Sequence, residues 1–222
     1  MTRSKPHVCF LLATLEVGGL EWMVVHLARA VSKTFKVSVI CYDASGDLQS
    51  RLGAADIPVH VLRRRPGVDL RYPFRLARLL REIEADLLHA HNDTALFYGG
   101  LAAFLGRVSL VYTEHDRVFP GRAAVRVVNF ALAGSARQVV AVSEELRRHL
   151  AAFEHIEGDG VRVIPNGVPF TPAARPVDRV RRSWNVPEDA PVVGVVAGLK
   201  PVKNHALLLE AAADLVPRFP GL

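Results

Sequence analysis

Cysteine is nearly missing from this chain of 222 residues: there are two, Cys9 and Cys41, each inside a short apolar run. Neither has the C-x-x-C spacing of a redox or zinc motif, so both read as buried reduced thiols, and a disulfide-stapled secreted scaffold is excluded. Long hydrophobic runs are missing as well. The apolar stretch after the charged start soon meets Glu16, Gly18 and Gly19 and offers no small-residue cleavage site. The next longest, residues 95–106, is too short and too interrupted by glycine to span a bilayer. A soluble, cytoplasmic protein is therefore expected. Aromatic residues are only 7% of the chain and do not alternate with its arginines, which argues against a base-stacking nucleic-acid surface. The G-x-G-x-x-G dinucleotide fingerprint, the G-x-S-x-G elbow of a serine hydrolase and an acidic metal pair are all absent. Acidic residues fall short of basic ones, leaving a net charge of +6 carried overwhelmingly by arginine. That excess reflects either arginine-rich codon usage or attraction to something anionic, such as lipid headgroups or a phosphorylated substrate.

What remains is an ordinary globular composition, 50% apolar and 23% charged. Short β-branched runs at 7–12, 37–42, 59–62, 87–90, 110–113, 138–142 and 161–164 read as strands. Segments of helical period separate them at 20–32, 72–84, 94–105, 123–133 and 144–153, the last capped by Ser143. Near-continuous apolar strands separated by helices give an α/β fold, a Rossmann-like parallel sheet with helices on both faces. Residues 1–168 form that domain. The Pro- and Arg-rich texture that follows makes 169–190 a linker, and 191–222 reads as a fresh buried strand at 192–197 and a helix at 206–216. One strand and one helix cannot bury their own apolar faces, so a second α/β domain is expected in truncated form.

Parallel sheets of this kind bind ligands beyond the carboxyl ends of their strands, so the strand-to-helix loops are where chemistry belongs. Gly18 and Gly19 follow the first strand, where a bare backbone can approach a ligand and free amides at a helix start attract an anion. Asp43, ending the second strand, is placed like a ribose-binding acid. His89 and His91 share one face of an alternating strand, with Asn92 and Asp93 just beyond. A metal pair there lacks a further ligand, and His89 reads as a satisfied core histidine. Glu114, His115 and Asp116 supply an acceptor, a donor and a charge at the end of the fifth strand. Asn166-Gly167 closes the last strand as a turn. Lys200 and Lys203 stand between the second domain's strand and helix, well placed for a diphosphate or simply for solvent.

Taken in order, these loops closely resemble family 4 of the retaining glycosyltransferases, which have the two-domain glycosyltransferase-B fold. The matching pieces are Gly18-Gly19-Leu20-Glu21, His89-Ala-His-Asn92, Thr113-Glu-His115, Val142-Ser-Glu144, Ile164-Pro-Asn-Gly167 and Leu199-Lys-Pro-Val-Lys-Asn204. The resemblance implies an acceptor-side amino-terminal domain, a donor-binding carboxyl-terminal domain, and transfer in the cleft between them. It implies that Gly18, Gly19, Lys200 and Lys203 meet the donor phosphates, and that His115 is catalytic beside the transferring sugar. Glu21, His91, Asn92, Glu114 and Asn166 then line the acceptor side or cleft. The substrates implied are a nucleotide-sugar and a glycan or lipid-linked acceptor, with no bound metal, no other cofactor and no nucleic acid.

Two departures from the family pattern stand out. Ala197-Gly198-Leu199 replaces the usual Gly-Arg-Leu, with Lys200 a candidate for the missing charge. The paired glutamates expected later in the second domain do not occur before Leu222, so the fragment is expected to bind donor weakly and turn over little. A non-catalytic acceptor-binding or membrane-docking module and a sugar-nucleotide epimerase of the same plan are the alternatives. Arg71, Arg75 and Arg78 recur at helical spacing beside Leu76, Leu79, Leu80 and Ile83, with Arg63-Arg64-Arg65 upstream. That helix is either a solvated face or a peripheral contact with anionic lipid on the inner face of the membrane.

Overall fold

The computed structural model describes residues 5–116, 123–156, 160–169, 177–199 and 201–219. The chain divides into two compact units, Met1–Val168 and Pro169–Leu222.

Among the described residues the first unit is built on seven strands: β1 (His7–Leu12), β2 (Lys36–Cys41), β3 (Val59–Val61), β4 (Leu87–His91), β5 (Ser109–Glu114), β6 (Gln138–Ala141) and β7 (Val161–Val163). Every neighbouring pair is parallel, in the order β3-β2-β1-β4-β5-β6-β7. The crossovers are α1 (Gly19–Val31), the short α2 (Gln49–Gly53), α3 (Tyr72–Glu82), α4 (Asp93–Gly106), α5 (Ala123–Ser135) and α6 (Glu144–His149), which runs into a π-helical turn at Leu150–Glu154. Ser143 caps α6 as its sequence position suggests, its side chain accepting from Leu146 N at 3.1 Å.

Strand parity sorts the core into two layers. Cys9 and Leu11 of β1, Leu88 and Ala90 of β4, and Tyr112 of β5 face α3, α4 and α5. Phe10, Leu12, Val39 and Cys41 face α1 and α2. α4 is apolar nearly all round and lies in the middle of its layer. Gly99 allows that, because a Cβ there would meet Leu11 Cδ2 at 2.8 Å and Leu88 Cδ2 at 3.1 Å. Order reverses between β1 and β4, the neighbours from which the chain winds outward in both directions, and this opens a crevice at their carboxyl ends.

α3 buries its apolar stripe in the core, as its helical spacing indicates: Leu76 and Leu80 are buried, and Leu79 and Ile83 pack on the same core layer. Three of the arginines are also engaged within the fold: Arg64 with Asp43 at 2.8 Å, Arg75 with Asp69 at 3.5 Å and Arg78 with Glu82 at 2.7 Å. Asp43 is thereby an ion-pair partner at the end of β2. What α3 leaves exposed at its start is Val68, Leu70 and Phe74.

The second unit holds α7 (Val177–Ser183), a 3₁₀ turn at Pro201–Lys203 and α8 (His205–Leu215). α7 lies where the linker was expected, and Arg181 ties it to the following loop by donating to the carbonyls of Pro187 and Ala190, both at 2.8 Å. Residues 192–197 are not the buried strand expected from their composition: they make no strand pairing, and Val192, Val193, Val195 and Val196 are exposed. A β-branched run becomes a strand only when a neighbour accepts its backbone hydrogen bonds, and no neighbour stands beside this one among the described residues.

Candidate functional site

At the carboxyl ends of β4 and β5, three imidazoles gather on the α1 face of the sheet. Period-two alternation sends His89 and His91 the same way, and their ring centroids lie 4.2 Å apart with Phe10 of β1 alongside. His89 Nε2 bonds Thr113 Oγ1 at 2.8 Å across the ladder, which makes it the satisfied histidine of the set. His91 Nδ1 bonds His115 Nε2 at 3.0 Å. The outer nitrogens, His91 Nε2 and His115 Nδ1, are buried and have no partner among the described residues.

All three rings are held neutral. Burial lowers His115 to about 4, with Asp116 pulling weakly the other way. Burial, and then the neighbouring His115 ring, bring His89 to about 4. His91 falls well below its ordinary value through burial, reinforced by His89 and His115. Two neutral imidazoles sharing one bond have a definite polarity. If His91 Nδ1 donates, its Nε2 is an acceptor and His115 Nδ1 carries the remaining hydrogen; the opposite tautomers reverse both ends. Either way the pair presents one donor and one acceptor, a match for hydroxyl groups rather than for a second charge.

Backbone geometry fixes the outer ring. Asn92, between β4 and α4, has φ 73 and ψ 166, a region that costs a residue with a side chain roughly 1–3 kcal/mol. From there its Oδ1 accepts from His115 N at 3.3 Å, while its own N–H donates to Thr113 O at 3.0 Å. Strain at Asn92 thus couples the β4 and β5 loops.

Glu114 does not line an open cleft. It is 1% exposed and shares the parity of Tyr112, so its side chain turns to the α4 and α5 face, away from His115. One carboxylate oxygen accepts from the backbone N–H of His115 at 2.8 Å and of Asp116 at 3.2 Å, and the other accepts from the Tyr112 hydroxyl. Burial pushes this carboxyl up to about 7 against those three donors, which pull it down. It braces the loop that presents His115.

The glycine loop begins α1. Gly18 is the N-cap in extended backbone, Gly19 is the first helical residue, and Trp22 N makes the first helical bond, to Gly18 O at 3.0 Å. The amides of 19, 20 and 21 precede that bond and are the free donors of any helix start. Gly19 is exposed, with nothing within 4 Å of an added Cβ. A Cβ on Gly18 would stand 2.1 Å from Glu21 Oε2, so the Glu21 carboxylate folds back over the helix start. Beneath this loop Gly46 approaches backbone rather than a side chain: its Cβ would lie 2.2 Å from both Glu16 N and Leu15 C.

The remaining candidates stand apart. Asn166 is exposed in irregular chain beyond β7, and no hydrogen bond joins it to the histidines among the described residues. Lys203 is exposed in the 3₁₀ turn of the second unit, before Asn204, whose side chain caps α8. Lys200 lies outside the described residues. Sequence reasoning placed Thr113 in the His115 motif without giving it the contact with His89, which follows from its sharing the face of His91 one strand over; Gly46 it passed over, having no local signal. Among the described residues no three His, Cys, Asp or Glu side chains are grouped to hold a metal ion, and no helix is long and apolar enough to cross a membrane.

The family model described as Glycosyltransferase Family 4 matches residues 17–171. The putative glycosyltransferase EpsF of Bacillus subtilis is 26% identical over 98% of this chain and 60% of its own length. A D-inositol 3-phosphate glycosyltransferase of Acidothermus cellulolyticus is 31% identical over 93% of this chain and 52% of its own. Among solved structures, Anabaena HepE in complex with UDP superposes with a TM-score of 0.77 at 25% identity, over 94% of this chain and 57% of HepE. The chain therefore spans between half and two thirds of the length of these relatives.

Proposed function

Because the chain belongs to glycosyltransferase family 4, we propose that the protein transfers a sugar from a nucleotide-sugar donor to a glycan or lipid-linked acceptor with retention at the anomeric carbon. The observation that carries this reading is the neutral His91–His115 pair, with its two unpartnered nitrogens at the carboxyl ends of the central strands. A neutral donor and acceptor held there suit the hydroxyls of a transferring sugar. HepE, whose fold this chain shares, has been solved with UDP and with UDP-glucose.

His115 is the residue proposed to hydrogen-bond the transferring sugar. The amides beside Gly18 and Gly19 are the proposed phosphate donors, and Lys203, with Lys200, is proposed to neutralise the diphosphate as charge develops on it. In same-face retention the bond from C1 to the leaving phosphate oxygen breaks while the acceptor oxygen bonds to C1. The acceptor's proton passes to the departing phosphate. No metal is required, because lysine and backbone amides carry the charge. Peripheral contact with an anionic membrane is part of the proposal. It rests on exposed Val68, Leu70 and Phe74 beside Arg71 rather than on the buried stripe of α3.

The test is a panel of nucleotide-sugars incubated with the protein and candidate acceptors, following nucleoside diphosphate release and, by NMR, the anomer formed. Transfer with the donor's anomeric configuration supports the reading. Inversion, or failure of every donor to bind, overturns it.

A further inference from the structure

Asn92 stands in backbone that a residue with a side chain seldom takes. Seven described residues other than glycine have positive φ, and Arg107 and His155 show the ordinary use: φ 57 with ψ 37 and 23, the left-handed turn that closes a helix. Asn92 instead has φ 73 and ψ 166 at a helix start, a region that is essentially glycine's own. The turn itself explains part of this. β4 ends at His91 and α4 begins at Asp93, so a single residue must change direction. Its N–H completes the ladder to Thr113 O at 3.0 Å, and its carbonyl accepts the first helical bond, from Leu96 N at 2.9 Å. Glycine would make that turn without strain.

The side chain is what glycine would lack, and it is not spent on the helix. A polar N-cap ordinarily accepts from an amide of the first turn, as Asn204 does from Leu207 N at 3.4 Å and Ser143 from Leu146 N at 3.1 Å. Asn92 makes no such bond; Asp93 Oδ1 takes Thr94 N instead, at 2.5 Å. Asn92 Oδ1 reaches across to the loop after β5 and accepts from His115 N at 3.3 Å. Glu114 Oε1 accepts from the same N–H at 2.8 Å, its side chain lying on the opposite face of the sheet. His91, the residue before Asn92, holds the His115 ring by Nε2 at 3.0 Å. Two consecutive residues at the end of β4 therefore grip His115 at two points, backbone and ring. A ring held at one nitrogen alone can still swing about that bond; with its backbone pinned as well, Nδ1 keeps one direction.

We propose that Asn92 is a positioning residue for His115: its strained backbone aims Oδ1 at the His115 amide, and the strain is retained because that bond fixes the direction of His115 Nδ1. Asn92 then acts through His115 and not by touching a substrate itself. The inference rests on the sugar-transfer reading for what His115 does, and adds the residue that orients it.

The test compares Asn92→Gly and Asn92→Asp with wild type, each carrying isotope-labelled histidine, at neutral pH and without substrate. Long-range proton–nitrogen NMR spectra read both ring nitrogens of every histidine. In wild type the two nitrogen shifts of His115 should be well separated, the mark of one tautomer held by His91. In Asn92→Gly they should move toward each other as the ring loosens, while His89, held by Thr113, keeps its shifts. Tm should stay equal or rise, since the strain relieved outweighs glycine's added chain entropy. Asn92→Asp keeps the acceptor and should restore the separation. Nitrogens already alike in wild type, His115 unmoved by glycine, His89 moving with it, a lower Tm, or no restoration by aspartate would each overturn the inference. With a donor that is turned over, Asn92→Gly should lower kcat by up to about 100-fold at unchanged donor KM. A loss carried by KM overturns it too. If no donor is turned over, the sugar-transfer reading alone fails, because the imidazole spectra need no substrate.

Discussion

Replacing Glu114 with glutamine should change how stability depends on pH more than it changes stability itself. Burial raises this carboxyl from its ordinary 4.5 to about 7. A group with a raised pKa contributes fully below the unfolded value, and the contribution is lost as pH climbs through the folded one. Between pH 4.5 and about 7, wild-type protein therefore gives up about 3 kcal/mol, because the unfolded chain ionises Glu114 there while the fold holds it protonated. The histidines act in the opposite sense. His89 and His115, lowered from 6.5 to about 4, stabilise above 6.5 and lose that contribution as pH falls toward 4. The wild-type profile mixes both, so the informative quantity is the difference between variant and wild type, from which the histidines cancel. Glutamine keeps an oxygen for the amides of His115 and Asp116, and the Tyr112 hydroxyl can turn to accept from the new NH₂. Urea unfolding at half-unit steps from pH 4.5 to 8 should show the variant gaining on wild type by about 3 kcal/mol and levelling off above 7. A difference that stays flat over that range would refute the account of Glu114 as a buried carboxyl titrating near neutrality.

His91→Phe keeps the ring stack but strips His115 Nε2 of its partner, an unpaired polar group worth about 1–3 kcal/mol, so kcat should fall about 10- to 100-fold with donor KM little changed. Steady-state kinetics showing the loss in KM instead would place His91 outside the orientation of His115. Gly46→Ala should destabilise the fold by about 1–3 kcal/mol, because its methyl meets backbone and not a movable side chain, whereas Gly18→Ala should cost little because the Glu21 carboxylate can swing away. Thermal melts of the two variants compare them directly. Transfer activity should survive exhaustive EDTA treatment, and loss restored by a divalent cation would contradict charge neutralisation by lysine and backbone amides alone.

Periodicity made most of the first unit readable. Runs such as 7–12 and 37–42 have no reading but strand once helices of clear stripe, such as 72–84, flank them, and strand ends then locate the loops. Alternation likewise put His89 and His91 on one face before any contact was known. Residues 192–197 show the limit of the same logic: their composition is that of a buried strand, but pairing is a property of two segments. The glycosyltransferase motifs were legible because each occupies a short stretch whose loop position follows from the strands before it.

Within the first unit, composition and period by themselves determined which segments are strands, that they run parallel under helices, and which loops carry the polar residues. Only the tertiary structure decided that β4 and β5 lie side by side, which turned two separate histidine motifs into one neutral hydrogen-bonded pair. It also decided that Glu114, one residue from His115, serves the opposite face of the sheet. The reason is physical: local backbone preference acts within a few residues, whereas burial, pKa and partner are set by atoms that the chain brings together across tens of residues.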